Sequence, residues 1–87
     1  MFKINDKVRI IDAGNYNNYV HYYNVPVLED NYLNNTIFTI SNFEMLEEEN
    51  KDNKAHYQYE LIDPNGYTLE LLIDGYAIEL FENTEFK

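Results

Sequence analysis

The sequence predicts an all-β fold, a small five-stranded barrel with a long loop after the first strand. Three observations predict it. Short β-branched and aromatic runs alternate with turn signals along the chain, and nothing carries the period of a long amphipathic helix. The stretch from Ala55 to Ile73 reads as one β-hairpin closed by Asp63-Pro64-Asn65-Gly66. The 87 residues make a single domain, 1–87, and closing several short strands into a barrel removes exposed edges.

The elements follow in chain order. Phe2-Lys3-Ile4 is a short alternating piece, and Asn5-Asp6 is a turn signal before Lys7-Val8-Arg9-Ile10-Ile11. In that strand Val8 and Ile10 point to the core, with Lys7, Arg9 and Ile11 opposite. From Asp12 to Asn35 the chain is rich in Asn, contains Gly14 and Pro26, and holds neither helix nor strand period for long. This is the long excursion, and part of it is expected to form an irregular hairpin with Val25-Pro26-Val27-Leu28 as an edge segment. Its five tyrosines, Tyr16, Tyr19, Tyr22, Tyr23 and Tyr32, argue against disorder. Thr36 to Ile40 is β-branched and aromatic and continues as a strand to about Met45, after which Glu47 to Lys54 form a charged, solvated loop. Tyr76 to Glu82 supplies a final strand; alternatively, Asp74-Gly75 makes a two-residue hairpin turn that sets Tyr76 beside Ile73.

In the central hairpin, Pro64 presets φ for the second position of a type I turn, Asp63 accepts from the turn backbone, and Gly66 tolerates a left-handed conformation. The expected register sets Leu61 against Leu69, Tyr59 against Leu71 and Tyr57 against Ile73 on one buried face. On the other face it pairs Gln58 with Leu72 and Glu60 with Glu70. Directly opposed carboxylates repel, so that face is expected to be wet or covered by something cationic.

Sixteen acids against six bases leave a formal net charge of −10. Lys3, Lys7 and Arg9 lie in the first nine residues, no base occurs from Ile10 to Asn50, and only Lys87 follows Lys54. Such a surface repels nucleic acid and anionic membrane and attracts basic protein surfaces. Acidity also serves solubility alone, and charge by itself does not separate the two. There is no Cys, no apolar run of membrane-spanning length, and no signal-peptide core in residues 1–20. A soluble, cytoplasmic protein is the expectation.

The opening Phe2 to Ile11 resembles the first strand of small SH3-like barrel proteins, many of them from bacteriophages and mobile elements. Tyr32 to Ile40 resembles that family's second strand, the central hairpin its distal hairpin, and Ala77 to Glu82 its closing strand. Asn5 and Asn35 stand where the family usually has Gly, and Asn is the next best residue for a left-handed turn. The resemblance implies a barrel with a binding role and transfers no catalytic residues.

Catalysis has little material: Ser41 is the only Ser, and His21 and His56 lie in different segments without a motif, each reading as a surface or satisfied residue. The acidic run lacks the pattern of a calcium loop, so neither a metal nor a cofactor is expected. Two candidate protein-binding surfaces remain. One is an acidic strip of Glu44, Glu47, Glu48, Glu49, Asp52, Glu60 and Glu70. The other is the aromatic loop of Tyr16, Tyr19, Tyr22 and Tyr23, whose rings suit an interface but could equally plug a barrel end. The function expected is an acidic inhibitor that blocks a nucleic-acid-handling host defence protein in the manner of a DNA mimic, akin to anti-CRISPR proteins. The alternative is a non-inhibitory SH3-like adaptor or phage structural accessory. The partner is a protein with a basic surface, without direct nucleic-acid or membrane binding.

Overall fold

A computed structural model describes residues 2–48 and 55–81 of the chain. The protein is mostly β. Strand β1 (Lys7–Ile10) leads into three short helices, α1 (Ala13–Asn17), α2 (Val20–Tyr23) and α3 (Asp30–Asn35). Strands β2 (Ile37–Glu47), β3 (His56–Ile62) and β4 (Ile73–Asp74) follow, then a 3-10 turn (Gly75–Ala77) and β5 (Ile78–Leu80). The five strands form one antiparallel sheet in the order β4-β3-β2-β1-β5.

That order makes β4 and β5 the two opposite edges, yet only Gly75–Ala77 separates them in sequence. Laid flat, five strands would put the outer pair about 19 Å apart, whereas the four backbone steps from Asp74 to Ile78 reach at most about 14 Å. The sheet is therefore strongly rolled. It is not closed, because β4 and β5 do not pair with each other. Val8, Ile10, Phe38, Ile40, Tyr59, Leu61 and Ile73 fill the inside of the roll and are all buried. The strand alternation expected for β1 holds, with Val8 and Ile10 inside and Lys7 and Arg9 outside.

The excursion after β1 is helical where an irregular hairpin was expected. Each helix is shorter than the roughly 12–15 residues an isolated helix needs, so packing holds them, not propensity. Ala13, Tyr16 and Val20 recur at i, i+3 and i+7 and enter the core, with Leu33 from α3 beside them. Val25 to Leu28 is not an edge strand. Asn17 takes up the Leu28 backbone instead, its amide donating to the carbonyl at 2.8 Å and its oxygen accepting from the N–H at 3.2 Å. Asn5 has φ of 80°, the left-handed conformation foreseen for it, and Asn24 ends α2 in the same way with φ of 57°. Asn35 does not; it closes α3, its amide donating to the Asn31 carbonyl at 2.8 Å.

The hairpin turn forms as expected, with Gly66 at φ of 92°. The Asp63 N–H donates to the Tyr67 carbonyl at 2.9 Å, and the Asp63 side chain accepts the N–H groups of Asn65 and Tyr67, each at 2.9 Å. Tyr32 of α3 donates its hydroxyl to the second Asp63 oxygen at 2.7 Å. Next to the turn the expected register holds: the Leu69 N–H donates to the Leu61 carbonyl at 2.9 Å, and both residues are buried.

Beyond Leu69 the register changes. Glu70 to Leu72 leave the ladder, and pairing resumes with Tyr59 opposite Ile73 and Gln58 opposite Asp74. Tyr59 therefore does not face Leu71, Tyr57 does not face Ile73, and Glu60 does not oppose Glu70. The displacement is two residues, which returns each side chain to its own face, so Ile73 occupies the buried position expected of Leu71. Glu60 instead pairs across to Asn42 and accepts the Ser41 hydroxyl at 2.8 Å. Asp74-Gly75 does not make a hairpin turn either. Gly75 opens the 3-10 turn, and a Cβ there would stand 3.1 Å from the Tyr59 ring. Its use is close approach to the core.

Candidate functional site

The three residues expelled from the ladder form one wall of a groove. Glu70, Leu71 and Leu72 stand there with Tyr19 and Tyr23 of the excursion, Glu44 and Leu46 of β2, His56 and Gln58 of β3, and Tyr76 of the 3-10 turn. The cavity they enclose is about 520 Å³. Alternation along β3 explains the polar side of it. Tyr57, Tyr59 and Leu61 face the core, so His56, Gln58 and Glu60 face the other way.

Asp74 lies at the floor, 3% exposed. One of its oxygens accepts the Asn15 amide at 2.8 Å and the Tyr76 hydroxyl at 3.0 Å. The other accepts the Gln58 amide at 2.9 Å and lies 2.9 Å from His56 Nε2. A carboxylate can only accept, so Nε2 carries the proton in this bond. The Asp74 N–H completes the knot by donating to the Asn15 side-chain oxygen at 3.1 Å. Four elements, α1, β3, β4 and the 3-10 turn, are thereby tied at one carboxylate. Burial pushes the Asp74 carboxyl up, and the hydrogen bonds from Asn15, Gln58, His56 and Tyr76 outweigh it, leaving the pKa below the ordinary 3.8. With every acceptor position used and its charge stabilised, Asp74 is a poor proton acceptor and a good anchor.

Tyr76 is held at two points. Its hydroxyl is tethered to Asp74, and one face stacks on the His56 ring at 6.1 Å between centroids and 29° between planes. The ring is nevertheless 68% exposed. On the far side of His56, Nδ1 lies 3.8 Å from a Glu47 oxygen.

The groove joins members of both expected surfaces and omits others. Glu44 and Glu70 line it from the acidic strip, and Tyr19 and Tyr23 from the aromatic loop. Glu47 reaches it only through His56, Glu60 is engaged with Ser41, and Glu48 is exposed. Glu49 and Asp52 lie outside the described residues, as does the His21 side chain. Tyr16, at 1% exposure, is part of the core and unavailable to a partner. Burial pushes its phenol up, and the backbone N–H groups of Glu70 and Leu71 act against that. Tyr16 is thus a packing residue of the core. Tyr22 is exposed beside Tyr19, with ring centroids 6.5 Å apart.

Sequence reasoning missed Asn15, Gln58, Asp74 and Tyr76 and read His56 as a surface or satisfied residue. The structure shows it satisfied. No local pattern joins these positions, which meet only when the edge of the sheet comes up against α1. Of the N-terminal bases, Lys7 donates to the Thr39 hydroxyl at 2.6 Å and Arg9 pairs with Glu79. Among the described residues no helix is long and apolar enough to cross a membrane, and no cluster of His, Asp and Glu could hold a metal ion. No family model, curated protein or solved structure matches the chain.

Proposed function

We propose that this chain is an acidic protein-binding inhibitor with an SH3-like barrel architecture, one that occupies the basic surface of a nucleic-acid-handling protein. A host defence protein opposed by a bacteriophage or mobile element is the target class that the resemblance suggests. One observation carries the binding role. Glu44 and Glu70 stand among Tyr19, Tyr23 and Tyr76 in a groove whose wall, among the described residues, includes no Lys or Arg, on a chain of net charge −10. Carboxylates beside exposed rings suit a positively charged partner, and the overall field draws it in. The architecture is supported by the return of the last strand to the first and by the long connection after β1 that flanks the groove.

The test is retention of a basic protein from host lysate on the immobilised chain. The affinity of that protein is then measured over a salt series and against duplex DNA. The reading expects affinity to fall steeply with salt and DNA to compete. A partner that binds equally at every salt concentration while still holding DNA would favour the second reading, an adaptor that grips through tyrosine. The exposure of Tyr19, Tyr23 and Tyr76 is the observation that keeps that second reading open.

A further inference from the structure

The groove is built more narrowly than general acidity requires. We infer that it takes one guanidinium, an arginine side chain of the partner laid against the rings of Tyr76 and Tyr23 with Glu70 and Glu44 as its carboxylate acceptors. The inference rests on the protein-binding reading above and names the chemistry that the same site recognises.

Three features of the site lead there. Tyr76 is an exposed ring that is already immobilised, by its hydroxyl on Asp74 and by His56 on one face. Its free face is a platform that loses little further freedom when something stacks on it. Tyr23, 64% exposed, and Tyr19 line the same groove, so a cation entering it meets aromatic faces from the excursion and from the 3-10 turn. A positive group over a tyrosine face is attracted by the ring quadrupole.

The second feature is charge. Glu44 and Glu70 line the groove, no Lys or Arg among the described residues does, and the Asp74 carboxylate beneath is fully occupied by donors. Asp74 therefore adds negative field at the floor without offering a contact, while Glu44 and Glu70, the latter accepting the Tyr67 hydroxyl on one oxygen at 3.4 Å, supply the carboxylate acceptors. The third is shape. Flat rings beside carboxylates match a planar, forked cation that stacks and hydrogen-bonds at once, which a compact ammonium does less well. A volume of about 520 Å³ holds that side chain with the backbone that carries it, and lies within the range of roughly 300–1,000 Å³ typical of ligand pockets.

The full chain, isotope-labelled, is titrated with acetyl-Gly-Gly-Arg-Gly-Gly-amide and watched by NMR. Matching peptides carry citrulline, which keeps the shape and lacks the charge, or lysine. Saturable shifts of the Tyr19, Tyr23 and Tyr76 rings are expected with the arginine peptide, at least about tenfold weaker with citrulline, and weaker with lysine. Tyr23→Ala, which removes an exposed ring, and Glu70→Gln should each weaken arginine binding by about threefold or more without altering the fold by circular dichroism. Shifts confined to carboxylates outside the groove would overturn the inference while leaving an acidic binding role intact. Equal binding of citrulline or lysine would overturn the guanidinium assignment, as would the absence of any shift. Failure of the protein-binding reading looks different: no basic protein would be retained at low salt, whatever the peptide does.

Discussion

Two buried aspartates organise the two ends of the last hairpin, and they do it in opposite ways. Asp63 takes its donors from its own turn, the N–H groups of Asn65 and Tyr67, with one remote bond from Tyr32. Asp74 takes side-chain donors from positions as far as 59 residues away, and among the described residues no backbone N–H reaches its carboxylate. One is a local device that the chain carries with it. The other exists only after α1, β3 and the 3-10 turn have assembled around it. The difference predicts where damage spreads: loss of Asp63 loosens a turn whose amides can turn to water, whereas loss of Asp74 orphans buried donors and unties the groove.

The largest effect should therefore come from Asp74→Ala. Stranding the Asn15, Gln58 and His56 donors is expected to cost about 3 kcal/mol or more in denaturant unfolding, and to release the Tyr76 ring. Asp63→Ala should cost less, about 1–2 kcal/mol, because only the Tyr32 hydroxyl and partly solvated turn amides lose a partner. If the two variants prove equally destabilised, the distinction between a local and an assembled anchor is wrong.

Acid sharpens the same contrast. The Tyr32 hydroxyl and then the turn N–H groups hold Asp63 below its ordinary 3.8 against burial, and Asp74 is also held below 3.8. A folded pKa beneath the unfolded one contributes stability that is present above the unfolded value and lost as pH falls through the folded value. Stability should thus be flat with respect to these two groups above about pH 5 and decline below about pH 4. Asp74→Asn and Asp63→Asn should each flatten that decline. A decline of unchanged slope in both variants would assign acid unfolding to other carboxylates.

The smallest effects test the local device itself. Tyr32→Phe removes one charge-assisted hydrogen bond and should cost about 1 kcal/mol. Gly66→Ala should cost about 1–2 kcal/mol at φ of 92°. Because an added Cβ meets nothing within 4 Å, that cost is backbone strain alone, and Gly66→Asn should recover part of it. A neutral Gly66→Ala would mean that the turn relaxes.

What the chain determined by itself was whatever depends on neighbours in sequence. The Asp63-to-Gly66 turn, the left-handed Asn5, the inward Val8 and Ile10 and the strand at Ile37 follow from φ preferences and period-two alternation, which act over a few residues. The mostly β character follows from them. Tertiary structure decided the rest, for identifiable reasons. The helices of the excursion are too short to show a period, and the burial that puts Ala13, Tyr16 and Val20 into the core belongs to the fold. The two-residue displacement after Leu69 preserves the inward pattern, so alternation alone cannot detect it; yet it moves Glu70 to Leu72 out of the ladder and into the groove wall. The Asp74 knot was invisible because its donors belong to segments that meet only after the sheet has rolled and laid its edge against α1. Hydrogen bonding to a buried carboxylate is a demand of position, and position here is a property of the whole fold.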